Sequence, residues 1–246
     1  MKVFGFLAVV CLITRLSSLS AFAQSEADFK KAGDEYTAGH FKEAIQTYEK
    51  LVASKVFTPN LFYDLANAYF RTGDFGHAIL NYERALALDR HHPESQANLQ
   101  IVRDESRALE LTSTRLERFA RFLTANEYAI VGAVAFWVGT LSVAIWFFSK
   151  GRARGTITIA VLCFLILALG VSATYLINNE RKRKAIVTGN DVQARLATAD
   201  NANSVLALPA GSEIQVLSRR GDWIYAELPN TLRGWIPAKD AENVQL

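Results

Sequence analysis

The sequence predicts a multi-domain membrane protein with all-α helical repeats, a hairpin of two transmembrane helices and a small all-β barrel. Three observations in the 246-residue chain predict this fold class. A helix–turn–helix pattern occurs twice in the first half, two long apolar runs follow it, and short alternating segments with turn residues fill the C-terminal quarter. These patterns do not overlap, which indicates separate structural units.

The helical pattern is clearest in residues 59–89 and has a period of about 34 residues, the length of a tetratricopeptide repeat. Leu65, Ala66 and Tyr69 share one face of a first helix. Gly73 predicts the end of that helix, because glycine adopts the left-handed conformation without a Cβ clash. A second helix then carries the inner-face residues Phe75, Ala78, Ile79, Tyr82, Ala85 and Leu86.

An earlier copy of the pattern begins near Glu26. The residues that match the second copy at the same offset are Gly39, Phe41, Ala44, Ile45 and Tyr48. A third helical segment, from Glu94 to about residue 111, is predicted to cap the array with Ala97, Leu99, Val102 and Leu109. The sequence therefore predicts tetratricopeptide repeats with a capping helix over residues 24–111.

Repeats of this kind bind extended segments of other proteins and carry out no chemistry themselves. In standard repeat geometry, the first helix of each repeat lines a concave face. The residues predicted to line this face are Phe29, Tyr36, Thr37, Asn60, Tyr63, Asn67, Phe70 and Arg71. Arg71 suits a carboxylate of the partner, through a bidentate pair. The alternative is that these helices only hold another unit away from the membrane.

Residues 128–148 and 156–177 form two apolar runs without a charged residue. Each run is long enough to span a hydrocarbon core of about 30 Å. Thr124 and Glu127 form the capping-box pattern that begins the first of the two helices. Because only residues 149–155 connect the runs, we predict a hairpin that leaves both flanking regions on one side of the membrane.

Residues 1–23 have the layout of a cleaved signal peptide, with Lys2 before an apolar stretch and small residues at Ala21 and Ala23. Export would place both flanking regions outside the cytoplasm and the basic loop 149–155 inside it, as the positive-inside bias favours. Basic residues beside the outer ends of the two runs favour the opposite orientation. The signal carries more weight, because the first targeting segment usually sets the orientation.

Two short segments connect the predicted units. Residues 112–127 are a juxtamembrane connector with an apolar and an arginine-bearing face. This connector either lies on the bilayer surface with its arginines toward anionic headgroups or is a simple helical connection. Residues 178–185 are predicted to be a basic linker, either in contact with lipid or free of it.

Residues 186–246 alternate apolar and polar residues over short segments, which predicts β-strands. The segments PAGSEIQVL, GDWIYAEL and RGWIPAKDAENV resemble the bacterial SH3-like domain, a small barrel, and Trp223, Gly234 and Trp235 carry the resemblance. The resemblance implies that Trp223 and Trp235 belong to a face that binds cell-wall material or protein. The alternative is that both tryptophans pack in the core.

The reactive side chains do not predict an enzyme. Cys11 and Cys163 lie in apolar segments, and the adjacent His91 and His92 lack a supporting ligand pattern. We therefore predict no catalytic residue, no metal site and no cofactor. The net charge of +3 is mild and mostly juxtamembrane, which favours membrane lipid and not nucleic acid as a partner.

The order of the units resembles that of the BatE-type proteins of bacterial aerotolerance (Bat) operons. The segments that carry this resemblance are LANAYFRTGDFGHAILNYERALALD, ANLQIVRDE and LERFARFLTANEYA. The resemblance implies von Willebrand A-domain Bat-type membrane proteins and a MoxR-type ATPase as companions, in an envelope complex tied to stress tolerance. Together with the signal peptide and the predicted hairpin, it predicts a multi-pass protein of the bacterial inner membrane, with the repeats and the SH3-like domain in the periplasm.

Two functions are compatible with these patterns. The first is a non-enzymatic, membrane-anchored scaffold in which the repeats bind a segment of another membrane protein. The alternative is an envelope sensor or cell-wall-binding protein, in which the SH3-like domain binds peptidoglycan.

Overall fold

The computed structural model describes residues 23–112, 115, 118, 123–148 and 154–246. The predicted signal peptide (residues 1–23) lies outside the described residues except for Ala23. Half of the predicted connector (residues 112–127) and most of the predicted loop (residues 149–155) also lie outside the described residues. The N-terminal helices are α1 (residues 23–37), α2 (Phe41–Ala53), α3 (Pro59–Arg71), α4 (Phe75–Leu88) and α5 (Pro93–Ser106).

α1 with α2 and α3 with α4 form two helical hairpins, which confirms the predicted repeats. Each hairpin turns at a glycine with positive φ, Gly39 at 81° and Gly73 at 77°. The start of α3 is fixed locally, because the Thr58 side chain accepts a hydrogen bond from the Leu61 amide and Pro59 occupies the first turn. The inner faces form one buried cluster that includes Ala44, Tyr48, Leu65, Ala66, Ala78, Ile79 and Tyr82.

The capping helix is shorter than predicted. α5 ends at Ser106, because Arg107 adopts the left-handed conformation with φ 54°. The chain then leaves the repeats, and Leu109 packs against the core of the C-terminal sheet. The Leu109 carbonyl accepts a hydrogen bond from the Glu213 amide at 2.8 Å, which helps to explain why the helix does not continue. Ala97, also predicted to face inward, is exposed.

Two long apolar helices follow, α6 (Ala125–Phe148) and α7 (Arg154–Arg183). Within the described residues, their segments Asn126–Phe148 and Gly155–Asn179 are long and apolar enough to cross a membrane. The two helices pack against each other with close contacts at glycines. A Cβ atom built on Gly132 would lie 3.2 Å from a methyl group of α7.

Local sequence explains where α6 begins. The predicted capping box is present at the start of α6, since the Thr124 amide donates to Glu127 Oε2 at 2.6 Å and the Glu127 amide donates to Thr124 Oγ1 at 3.3 Å. α7 continues to Arg183, and the first strand begins at Lys184. Residues 178–185, predicted to be a linker, are therefore the end of a helix and the start of a strand.

Residues 184–246 form an antiparallel sheet of seven strands in the order β3-β2-β6-β5-β4-β1-β7. Its strands are β1 (Lys184–Val187), β2 (Val192–Arg195), β3 (Ser204–Leu208), β4 (Glu213–Arg220), β5 (Trp223–Glu227), β6 (Arg233–Pro237) and β7 (Ala241–Asn243). A buried cluster that includes Val187, Ala194, Ile214, Ile224 and Ile236 forms its core.

The predicted barrel is not confirmed, because this sheet is open, with β3 and β7 at its two ends. β7, which the sequence analysis did not predict, follows a short 3₁₀ helix (Ala238–Asp240) and pairs with β1. β7 therefore pairs with the edge of β1 that β4 leaves free. The strands at the two ends of the sheet, β3 and β7, are not paired with each other.

The repeats pack directly on the sheet through α4. A Cβ atom built on Gly76 of α4 would lie 2.8 Å from the Thr188 backbone. A Cβ atom built on Gly211, whose φ is 87°, would lie 2.2 Å from Ile79 Cδ1. The contact at Gly76 is with backbone, which leaves no room for a Cβ atom, and the positive φ of Gly211 is one that other residues rarely adopt. Glycine at both positions thus permits the close approach of the two units.

A buried ion cluster lies in this interface and consists of Glu83, Arg103, Lys184 and Glu213. Lys184 Nζ lies 2.9 Å from Glu83 Oε1 and 3.0 Å from Glu213 Oε1. Arg103 binds the same two carboxylates, with Nη2 2.6 Å from Glu83 Oε1. Burial opposes ionisation of Glu83, but the Lys184 and Arg103 charges outweigh it and hold the pKa of that carboxyl below its usual range. Two cations and two carboxylates therefore compensate one another in the buried part, and Arg103 Nη1 also lies 3.4 Å from Oε1 of the more exposed Glu110.

A second group of charges lies between α4 and β7 and consists of Asp74, His77, Arg84 and Glu242. Arg84 Nη2 lies 3.1 Å from Glu242 Oε2. His77 lies between the two carboxylates of the group, with Nδ1 2.8 Å from Asp74 Oδ2 and Nε2 3.7 Å from Glu242 Oε1. Hydrogen bonding to Asp74, and then to Glu242, raises the pKa of His77 to about 9. The imidazolium therefore links the repeats to the sheet at neutral pH.

We expect the interface to weaken as the pH rises through 9. The pKa of His77 is about 9 in the folded protein against an ordinary 6.5, so its stabilisation is complete below pH 6.5 and is lost as the pH passes 9. The wild-type free energy of unfolding should fall by about 1 to 2 kcal/mol more than that of His77→Gln between about pH 6 and 10. Denaturant titrations of the full chain in detergent measure this difference. Parallel pH profiles of the two proteins would contradict it.

Candidate binding surface on the helical repeats

The residues predicted to line a concave face lie on the first helices of the two repeats. We call this set the α1/α3 face, and it consists of Phe29, Tyr36 and Thr37 of α1 with Asn60, Tyr63, Asn67, Phe70 and Arg71 of α3. Thr37, Asn60 and Arg71 are exposed, and the other members are half-buried. Contacts with different neighbouring helices fix different members of this face.

Asn67 belongs to a hydrogen-bond network that connects α3, α4 and α5. Its Oδ1 accepts hydrogen bonds from the Tyr82 hydroxyl and from Asn98 Nδ2, the latter at 3.0 Å. Asn98 Nδ2 also lies 3.4 Å from the Tyr63 hydroxyl. The Asn67 amide oxygen is therefore engaged within the protein, and the side chain fixes the position of the capping helix.

His92 holds the N-terminal end of α3 against the start of α5. Its Nδ1 accepts a hydrogen bond from the Ser95 amide at 3.2 Å and so caps α5. That bond leaves Nε2 to donate, and Asn60 Oδ1 lies 3.2 Å from it. The ring of His92 also packs on that of Tyr63, with 5.2 Å between centroids. This histidine is thus a structural residue of the surface.

Arg71 is the accessible cation of the α1/α3 face. Its guanidinium carbon lies 4.5 Å from the centroid of the Phe41 ring, a cation–π contact that orients it. Tyr36 packs against the same ring from α1, with 5.3 Å between centroids. Within the described residues, Arg71 makes no ion pair. Its guanidinium is therefore available to a carboxylate from another molecule.

Asp64 is a surface residue that the sequence analysis missed. It lies on α3 and is half-buried, yet it makes no hydrogen bond or ion pair in the part of the chain that the structure describes. Burial raises its pKa to about 6, although the positive potential of His92 opposes the shift. A position-by-position comparison of the repeats could have identified Asp64, since Asp64 and Asn98 occupy equivalent positions.

Trp223 and Trp235 lie on the outer face of the sheet. β5 and β6 alternate buried and half-buried residues, and Ile224 and Ile236 take the buried positions. Trp235 pairs across the strands with Tyr225, with 5.0 Å between ring centroids. Neither tryptophan belongs to the buried core of the sheet. The structure therefore differs from the alternative in which both tryptophans pack in the core.

The α1/α3 face therefore combines half-buried aromatic rings with an exposed guanidinium at Arg71, whereas the Asn60 and Asn67 amide oxygens are engaged within the protein. Among the described residues, no group of three or more His, Cys, Asp or Glu side chains is arranged to hold a metal ion.

Comparison with known proteins identifies one part of the chain. Residues 59–92 match the family model of the tetratricopeptide repeat, and they comprise α3, α4 and the cap of α5. No curated protein gives a significant match to the chain. The chain thus carries a tetratricopeptide repeat, a structure that generally binds protein partners and is generally not enzymatic.

Proposed function

We propose that this protein is a non-enzymatic, membrane-anchored scaffold whose α1/α3 face binds a segment of a partner protein. One observation carries the proposal. The sheet contacts α4, α5 and the segment after α5, whereas Thr37, Asn60 and Arg71 on the first helices of the repeats remain exposed. α4 and α5 thus hold the repeats to the sheet, and these three side chains of α1 and α3 remain accessible to a partner.

Membrane anchoring is supported by the surfaces of α6 and α7. Large apolar side chains on these helices are exposed, among them Trp137 at 70% and Phe147 at 72%. Contiguous apolar surface of this extent is costly in water and is suited to lipid. Because the repeats and the sheet are ion-paired to each other, a hairpin of α6 and α7 would leave both on the same side. A signal peptide at residues 1–23 would make that side the periplasm.

The proposed partners are other proteins of the bacterial inner membrane. Resemblance to BatE-type proteins favours von Willebrand A-domain Bat-type proteins within an envelope stress complex, and an SH3-like relationship for the sheet. The exposed guanidinium of Arg71 favours a carboxylate on the bound segment, since arginine and carboxylate form bidentate pairs.

Arg71→Ala tests the scaffold without disturbing the fold. We expect this variant to capture a co-expressed von Willebrand A-domain partner at least about tenfold less well, through loss of a charge-assisted hydrogen bond. Lys42→Ala is the matched control, because it removes a positive charge from an exposed position of α2. Asn67→Ala is unsuitable, since Asn67 accepts hydrogen bonds from Tyr82 and Asn98. Equal capture by both variants and the wild type would refute the proposal.

The outer face of the sheet supports a second candidate function, an envelope sensor that binds cell-wall material. The observation in its favour is that Trp223, Tyr225 and Trp235 are half-buried on one face, where aromatic rings can stack on a ligand.

Binding of the full chain to purified peptidoglycan tests the sensor. Trp235→Ala should reduce binding at least about tenfold, whereas Leu196→Ala, which removes a 65% exposed side chain from the same sheet, should not. If the wild-type chain does not sediment with peptidoglycan, the sensor is excluded.

A further inference from the structure

The two places where one repeat meets the next have the same geometry and different chemistry. We call Tyr63, Asn67, Tyr82 and Asn98 the second junction. One repeat length of about 34 residues earlier, the equivalent positions are Phe29, Gly33, Tyr48 and Asp64, which we call the first junction. The corresponding aromatic pairs have similar spacing: the ring centroids of Tyr63 and Tyr82 are 6.0 Å apart, and those of Phe29 and Tyr48 are 5.8 Å apart.

The second junction satisfies its polar groups internally. The Asn98 amide donates to Asn67 Oδ1 and approaches the hydroxyls of Tyr63 and Tyr82, and the Tyr82 hydroxyl also donates to Asn67. A ligand would have to break this network to bind there.

The first junction lacks the groups that complete such a network. Gly33 has no side chain where Asn67 supplies its amide, and a Cβ atom built on it would meet only the Tyr48 hydroxyl, 3.9 Å away. Phe29 has no hydroxyl where Tyr63 has one. Within the described residues, the Tyr48 hydroxyl makes no hydrogen bond. Gly33 therefore leaves open the position that the Asn67 side chain occupies at the second junction.

Asp64 places a negative charge beside this open position. A carboxylate replaces the Asn98 amide, so the first junction has an acceptor where the second has a donor. Asp64 is the equivalent of Asn98, whose amide contacts Tyr63, Asn67 and Tyr82 at the second junction, so the repeat places the carboxylate at the corresponding position of the first junction. Burial raises the pKa of Tyr48, and the Asp64 charge adds to this shift. A half-buried carboxylate without a partner is costly unless a cation approaches it.

We infer that the first junction is a binding site for a cationic side chain, lysine or arginine, of the partner segment. Asp64 would supply the counter-charge, the Tyr48 hydroxyl a hydrogen-bond acceptor, and the Phe29 ring a cation–π contact. This inference rests on the proposed function, because it places the partner on the α1/α3 face. It adds that the partner segment carries a basic residue as well as the carboxylate for Arg71.

The chemistry of the first junction disfavours other ligands. An anion would be repelled by Asp64, for which the described residues provide no ion-pair partner. A metal ion needs several protein ligands, and no group of three or more suitable side chains lies together in the described residues.

Binding of small amino-acid derivatives to the full chain in detergent tests the inference. The probes are the Nα-acetyl N-methylamides of lysine and arginine, and the comparators are those of norleucine and glutamate. We expect the two cationic probes to bind at least about tenfold more tightly than either comparator. Asp64→Asn should abolish that preference, and Asp200→Asn, which removes the same charge from an exposed turn of the sheet, should preserve it.

Gly33→Asn is a second variant that does not depend on the charge of Asp64. It fills the open position with the side chain present at the second junction, so it should also reduce binding of the cationic probes at least about tenfold. The double variant Gly33→Asn, Asp64→Asn rebuilds the Asn67–Tyr82–Asn98 network in the first junction. Its thermal midpoint should equal or exceed that of the wild type, which excludes misfolding as the cause of lost binding.

The outcomes separate the inference from the proposed function. Equal binding of lysine and norleucine derivatives, or unchanged lysine binding in Asp64→Asn, overturns the inference. Capture of the protein partner without any binding of the cationic probes leaves the scaffold standing and removes the cation site. If the cationic probes bind and Arg71→Ala still captures the partner, the cation site stands and the proposed scaffold is refuted.

Discussion

The architecture depends on the pairing of Lys184 with Glu83 and Glu213, which Arg103 completes. Ionised groups removed from water are costly unless opposite charges and hydrogen bonds compensate them, and removal of one member leaves an unpaired buried charge. Because α7 ends at the residue before Lys184, this pairing joins the second apolar helix, the sheet and the repeats at one place. We expect this pairing to determine how the repeats and the sheet are arranged more than it contributes to the free energy of unfolding.

That arrangement leaves one surface of the repeats packed on the sheet and another exposed. α4 and α5 are occupied by the sheet, through the ion cluster and the close contacts at Gly76 and Gly211. The first helices keep Arg71 exposed and Asp64 without a partner, so a bound segment would meet one positive and one negative group. A scaffold of this kind recognises a partner by the order of charges along an extended segment, with selectivity from geometry.

Local patterns were sufficient for most elements of the fold. Glycines at the turns and the spacing of apolar residues predicted both hairpins, and uncharged length predicted the two apolar helices. The end of α5, strand β7 and the ion cluster were missed, because they depend on contacts distant in sequence. Arg103 and Glu213, for example, are 110 residues apart. The candidate surface was predicted from repeat geometry, but only the structure distinguishes Asn67, which is engaged, from Asp64, which is not.

Cysteine accessibility tests the central claim, that the repeats and the sheet are docked on one side of the membrane. In a variant lacking Cys11 and Cys163, one cysteine replaces exposed Lys42 of α2 or, separately, exposed Asn201 between β2 and β3. Intact cells are treated with a membrane-impermeant thiol reagent. We expect both positions to be labelled before lysis. Labelling of one position with protection of the other would contradict the docked arrangement, and protection of both would contradict the proposed periplasmic side.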